Sequence, residues 1–405
     1  MSFINCFILS TFLFLQTFST LAQSGCTDPH ATNYNPGAKL NDGSCVYPTT
    51  HFEPIIKGEF PNTIISESSG LVWTNGKLWT HNDSGNPNEI YSIDTANGNI
   101  LQTVTIDNFP NTDWEDIAAD SNFIYIGNFG NNNGNRTDLK ILKVAKSDIT
   151  TNSIVHLNAQ AISFSYSDQT VFTSSSSHNF DCESLISIKD SLYIFTKDRG
   201  DLQTRVYKLP KIPGTYIISP YTSFNVNGLI TGADYNPQTK EIALIGYFSG
   251  HANSFMWFLS DFQGDMFFSG NKRTIEIGNG SEWQTEGICY FSNDRFLVSC
   301  ENGGTFSSSF FTGNKVWLNK TTGIDNIKNE ICNISPNPVN NEMLINNLLN
   351  LTGYIFTDVL GCKIKSDRLI FGKNFINISS FKDGTYFLYL QREKDIYQIL
   401  KVIKN

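Results

Sequence analysis

Charge is scarce in this sequence, and basic charge scarcer still: Lys and Arg total 29 against 38 Asp and Glu, a formal net charge of -9. No Lys- or Arg-rich face can be assembled from it, which excludes a nucleic-acid partner held through its phosphates. Histidines number 6, and His51, His81, His178 and His251 stand apart from one another and from cysteine, so a zinc cluster has no ligand spacing to occupy. No G-x-S-x-G elbow is present, so Ser68, Ser69 or Ser84 near His81 do not form a hydrolase nucleophile motif. GNNNGN and NGG sit between strand-like runs and read as turns rather than phosphate cradles. Beyond the first two dozen residues no apolar run is long enough to span a bilayer. What the chain has in quantity is aromatic residues, 13% with 31 Phe and 16 Tyr, which suit pleated, half-buried surfaces and point to β structure.

The first residues set the compartment. Phe7 to Phe18 is an apolar run too short for a membrane helix, followed by Thr20-Leu21-Ala22, which fits signal-peptidase cleavage after Ala22. A lipoprotein reading through Cys26 competes, but Gln23 stands where a lipobox needs an aliphatic residue. With residues 1–22 read as a signal peptide, Cys6 is removed and seven cysteines remain in an export setting that permits disulfides. Cys26 and Cys45 bracket a loop rich in Asp, Asn and Gly and are the expected pair; Cys289 and Cys300 either pair or are buried.

Residues 25–48 read GCTDPHATNYNPGAKLNDGSCVYP, with no hydrophobic periodicity and no means of building a core alone. This segment resembles the short Cys-bounded modules of surface proteins from Bacteroidetes-type bacteria. Asp28, Asn33, Asn35, Asn41 and Asp42 supply either oxygens for calcium or side chains for turns, and both readings stand at this point. At the other end, residues 331–405 contain ISPNPVNNEMLI, YIFTDVLGCKI ending its strand at Gly361, INISSFKDGTYFLYLQ and a basic terminus. The order of these motifs resembles the type A sorting domain of the type IX secretion system. The resemblance implies a small β-sandwich-like domain, the secretion machinery as a partner, and delivery to the outer-membrane surface or the extracellular space.

Between these, 51–320 carries a recurring unit in which an acidic residue leads into an apolar strand, at Glu67, Glu115, Glu183, Asp234 and Glu286. The intervals are 48, 68, 51 and 52 residues, and each acid is followed by a second apolar strand (KLWTHND, FIYIGNFG, SLYIFTKD, EIALIGYF, RFLVSCEN). Short strands at a period near fifty residues predict an all-β fold, a five- or six-bladed β-propeller, with Ile55–Phe60 closing the last blade. The long second interval accommodates either a sixth unit or a loop near Ser174–Ser177.

First strands of propeller blades line the axis, so these five acids are expected to converge on one mouth of the channel. Packed like charges raise one another's pKa or require a counter-ion, and oxygen ligands favour calcium. The competing reading has the acids hydrogen-bonding the turns that join blades. A second layer at the ends of the second strands offers Asp83, Asn128, Lys197, Arg199 and Glu301 as ligand-binding residues; Lys197 and Arg199 suit an anionic group. The series ESSGL, LWTHNDSG, DWEDIA, IYIGNFGNNNGNR resembles secreted propellers of the phytase-like, SdiA-regulated kind, and DWED and FDCES are loosely similar to the axial acidic strands of calcium-dependent apyrases. Those resemblances imply metal-assisted phosphoester hydrolysis. The leading expectation is a surface-displayed binding or scaffold protein with an axial cation and a polar or anionic small molecule or a glycan as ligand. The alternatives are a metal-dependent phosphoester hydrolase and, using two axial carboxylates as acid and base, a glycosidase.

Overall fold

The computed structural model describes residues 23–405 apart from 53–54, 249–252, 278–283, 303–306, 316–333, 348–350, 360–361, 371 and 393–394. Residues 1–22, expected to be a signal peptide, and Gly361 lie outside the described residues. Among the described residues, the elements that can be given both ends are β-strands and one 3-10 turn at Lys146–Asp148. The chain divides into two units, Met1–Thr322 and Gly323–Asn405.

In the first unit the apolar second strands Phe123–Asn128, Ser191–Thr196, Glu241–Tyr247 and Arg295–Cys300 are buried along nearly their whole length. Such runs need cover on both faces, and the cover is a neighbouring sheet on either side. Five sheets provide it, each beginning at a first strand: Ser68–Thr74, Trp114–Ala119, Cys182–Ile188, Leu229–Asn236 and Thr285–Tyr290. Each first strand touches the next, and the fifth returns to the first, which closes the ring. Among the described residues the apolar core has a large cluster between each pair of adjacent blades, with Cys300 and Phe311 a small further one; Leu71, Leu78, Cys289, Leu297 and Phe310 fill the seam of blades five and one. The unit is a five-bladed propeller.

Ile55–Glu59 pairs antiparallel with Ser309–Asn314 and supplies the outer strand of blade five, so the two ends of the ring are knitted within one sheet. The extra length between Glu115 and Glu183 forms no sixth blade. Ile154–Leu157 returns to run parallel with the outer strand of blade one, Ile100–Ile106, before the chain forms the outer strand of blade two at Gln160–Tyr166.

Cys26 and Cys45 form the disulfide, while Cys182, Cys289 and Cys300 are buried thiols and Cys362 an exposed one. The polar side chains of the bounded loop serve turns. Asp28, Asn35, Asn41 and Asp42 each accept the backbone N–H two residues on, and Asn33 bridges Ser44 and Val46.

In the second unit a three-stranded sheet (Ile334–Ser335, Glu342–Asn347, Gly372–Asn377) and a four-stranded sheet (Lys363–Arg368, Gly353–Thr357, Gly384–Arg392, Asp395–Lys404) enclose one apolar cluster that includes Met343, Ile345, Phe356 and Leu388. This is the small sandwich expected of residues 331–405.

Candidate functional site

The site grows from one local irregularity. In every blade the pairing of first and second strands slips by a residue near the start of the first strand, and the bulged residues are Ser69, Glu115 with Asp116, Glu183, Thr231 and Glu286. A bulge re-aims the side chain it carries. Glu115, Glu183 and Glu286 thus occupy equivalent places, all buried. Glu67 precedes its bulge by two residues and stays exposed, in hydrogen-bond contact with Asn86. Asp234 follows its bulge by three residues and is not brought to the same place. Its carboxylate accepts the N–H groups of Tyr235 and Tyr290 at 2.8 and 2.7 Å, and its charge is felt by Asp116. At the two bulges without an acid, the Ser69 hydroxyl donates to the Glu115 carbonyl at 2.8 Å and Thr231 to the Thr285 carbonyl at 2.6 Å. These bonds tie adjacent first strands together.

Asp116, beside Glu115, is such a joint in acidic form. Its oxygens accept the N–H of Ile117, of Leu185 in blade three and of Ala233 in blade four, at 2.8, 2.8 and 3.2 Å. Burial pushes its carboxyl well above the usual range against the pull of those amides. Asp116→Ala would leave buried donors without an acceptor, at about 1–3 kcal/mol each. A fall in melting temperature that is the same in calcium and in chelator is the expected result, measured by circular dichroism.

Two residues before each bulge the alternation of the strand returns a side chain to the same side. Asp113 and Asp181 stand there, both buried, and sequence reasoning passed over them although the D-x-E spacing of DWE and DCE contains the signal. Asp113, Glu115 and Asp83, the last at the end of the second strand of blade one, offer carboxylate oxygens that all lie within 4.8 Å of one another. The group is preorganised. Asp83 accepts the Ser84 N–H, and its carbonyl is held by Asn111 at 2.8 Å and Asn86 at 3.2 Å. Gly130 leaves room for it, because a Cβ there would come within 2.1 Å of Glu115 Oε1 and 2.6 Å of Asp113 Oδ2. Glu115 Oε1 is buried without a hydrogen-bond partner.

Blade three carries the basic side of the mouth. Lys197 Nζ lies 3.0 Å from Glu183 Oε1 and 5.2 Å from the ring centre of Tyr247; Arg199 Nε lies 3.0 Å from Asp181 Oδ2, with a second nitrogen 3.9 Å from Glu183. Both side chains turn inward. Arg136 is 3.6 Å from Asp113 and is fastened by the Gly130 carbonyl at 2.6 Å and by Asn128 Oδ1 at 3.2 Å. Asn128 is therefore engaged in support: its amide donates to the Pro110 carbonyl. Glu301, partly buried, completes the ring of acids beside Glu286, Asp83 and Glu67.

Carboxylates outnumber cations in this mouth, and Asp83, Asp113, Glu115, Glu183, Glu286 and Glu301 all titrate above their ordinary range. Burial, then the charge of Asp83, raises Asp113 to about 6 although Arg136 opposes. Burial, then Glu183, Asp83, Asp113 and Asp181, pushes Glu115 well above its ordinary range. Burial lifts Glu183 to about 8 against the pull of Lys197, and lifts Glu301 to about 7 with Asp83 adding to it. Glu286 is driven well up by burial despite Lys197, and Asp83 is raised mainly by burial. Burial disfavours the Lys197 ammonium, yet Glu183, Tyr247, Glu286 and Asp181 together more than offset it and the group stays charged. Such a mouth takes up protons or a cation.

Residues 333–405 match the model of the secretion system C-terminal sorting domain family. The chain is therefore a secreted one. It is a propeller sorted by the type IX system to the cell surface or the extracellular space. No helix among the described residues is long and apolar enough to cross a membrane. No curated protein matches the sequence. Among solved structures, similarity extends to the PQQ-bound aldose sugar dehydrogenase of Streptomyces coelicolor (9% identity, 64% of this chain and 95% of that one, TM-score 0.39). It extends also to the GH43 endo-arabinanase of Bacillus licheniformis (10% identity, 65% and 96%, TM-score 0.37). A third is PorZ, a surface component of the type IX secretion system of Porphyromonas gingivalis (10% identity, 84% and 45%, TM-score 0.29). These are distant likenesses, and the propeller assignment rests on the five sheets themselves.

Proposed function

We propose that this protein is a surface-displayed binding propeller whose channel mouth holds a divalent cation, with calcium the best match to an all-carboxylate ligand set. The observation that carries the reading is the cluster of Asp83, Asp113 and Glu115, with one buried Glu115 oxygen lacking any hydrogen-bond partner. The cation offsets the excess of carboxylates and ties blade one to blade two. A cation held there would lie in a mouth furnished also with Lys197, Arg199 and Tyr247, where a polar ligand would sit.

A second reading, phosphoester hydrolysis, gains from the inward turn of Lys197 and Arg199. When bound, the cation would polarise a phosphoryl oxygen as a Lewis acid, and the two basic side chains would orient the phosphate. Asp181 and Glu183 already pair with them, however, and the surplus of negative charge disfavours a dianion. Binding of a neutral polyhydroxyl ligand such as a glycan stands ahead for that reason. Of the axial acids expected to act together, Glu115, Glu183 and Glu286 belong to the mouth, Glu67 to its rim, and Asp234 to a joint between blades.

Terbium, a luminescent stand-in for calcium, tests the site. Saturable terbium emission that calcium competes away is expected in the native chain and absent in Gly130→Ala, where the added methyl displaces Glu115 and Asp113. Equal emission from both proteins would remove this cluster from the proposal.

A further inference from the structure

The acidic pair at the centre of the candidate cation site occurs twice. Asp113-Trp114-Glu115 opens blade two and Asp181-Cys182-Glu183 opens blade three. The two pairs stand alike in their sheets. Glu115 and Glu183 each sit at a bulge, and the carbonyl of each leading aspartate accepts an N–H from just beyond the second strand of its own blade. The donor is Gly130 in blade two, at 3.2 Å, and Lys197 in blade three, at 2.8 Å. In blade one the same bond runs from the Asp83 N–H to the Glu67 carbonyl at 2.9 Å. Asp83, Gly130 and Lys197 are thus one position in three successive blades.

The residue at that position decides what each acidic pair meets. In blade two it is a glycine, and the pair faces Asp83 of blade one: three carboxylates lie within 4.8 Å, and Glu115 Oε1 has no hydrogen-bond partner. In blade three it is Lys197, whose ammonium lies 3.0 Å from Glu183 Oε1 on a side chain only 5% exposed. Its charge reaches beyond its own blade. It opposes the burial-driven rise of Glu286 in blade five, and it acts on Asp83 and Glu301 as well. A lysine ammonium is a compact point charge with three donors, and burying it is tolerated only among carboxylates that compensate it. Unlike an ion, it cannot leave.

We propose that Lys197 is a tethered cation filling the blade-three counterpart of the Asp83–Asp113–Glu115 cluster, so that the mouth takes a single divalent ion and keeps a latent second site under the ammonium. Glu183 and Glu286 supply the oxygens of the latent site, hard ligands suited to calcium. The count of one ion in the native chain rests on the cation reading of the first cluster; the latent site does not. Blades three and five are therefore neutralised at any calcium concentration, and control by calcium is confined to blades one and two.

Calcium titration calorimetry of the full chain counts the ions. The native chain is expected to take up one, Lys197→Met two, and Lys197→Arg, which restores a fixed cation, one again. Gly130→Ala combined with Lys197→Met is expected to keep one, because the latent site lies outside the displaced cluster. In chelator Lys197→Met is expected to melt below the native chain, since Glu183 and Glu286 lose their counter-charge, and calcium is expected to restore it. Uptake by Lys197→Met with none by the native chain would remove the first cluster and support the latent site. Two ions in the native chain, or no ion gained by Lys197→Met, would overturn the proposal. So would a Lys197→Met chain that stays unfolded in excess calcium while Lys197→Met with Glu183→Gln folds.

Discussion

Calcium is expected to raise the melting temperature of the propeller unit by roughly 5 °C over its value in chelator, and Asp83→Asn combined with Asp113→Asn to abolish that rise. A ligand that binds only the folded state at a hundredfold excess over its Kd stabilises by about 2.7 kcal/mol, and a unit of this size gains about 2 °C per kcal/mol. In chelator the double variant is expected to melt at or above the native temperature. Asp83 and Asp113 lie together with Glu115 within 4.8 Å, so two like charges that repel in the metal-free state are removed. Scanning calorimetry of the full chain separates the propeller transition from that of the sorting domain. A loss of the same size in calcium and in chelator would make these acids structural, as Asp116 is, and the cation reading would fail.

Without calcium, stability is expected to fall as the pH rises from about 4.5 to about 8. The folded pKa values of Asp113, Glu183 and Glu301 stand at about 6, 8 and 7, above the ordinary values of 3.8 for Asp and 4.5 for Glu. Between the unfolded and folded pKa the folded chain holds more protons than the unfolded one. Stability therefore decreases with pH across that window and levels off above it. Calcium competes for the same oxygens, so its stabilising effect is expected to grow from pH 6 to pH 8 and to flatten the fall. A residual slope should persist in calcium, because Asp234 and Asp198 are raised to about 7 by burial away from the cluster. Melts at a series of pH values with and without calcium measure this. A metal-free stability that increases with pH would show that the mouth carboxylates are not held protonated by the fold.

The sign of these effects separates the present reading from a purely structural one at single positions. Glu286→Gln, at a bulge beside Lys197, removes a carboxylate whose ionisation the fold resists. Asp116→Ala removes an acceptor that three backbone amides require. Acids one residue apart thus differ: Glu115 has a buried oxygen without a hydrogen-bond partner, whereas Asp116 is engaged in holding blades two, three and four together.

Much of the architecture is legible in the chain. Apolar runs such as FIYIGN and EIALIGY at regular intervals demand sheets covered on both faces, and the spacing of their acidic leaders marks the blades. The closing strand Ile55–Glu59, the Cys26–Cys45 pair and the C-terminal sorting domain follow from local pattern and motif. Residue type and spacing determine these because each depends on contacts a strand or a short loop makes with its own kind of neighbour. The composition of the mouth is another matter. Whether an acid in a first strand faces the channel or a backbone joint depends on the one-residue slip of the bulge. That slip set Glu183 and Glu286 in equivalent places and left Asp234 three residues out of phase, while the fold put Asp113 beside Asp83 and Glu115. A register shift is decided by how the second strand pairs and how the next blade packs, and those are long-range contacts that no window of sequence contains.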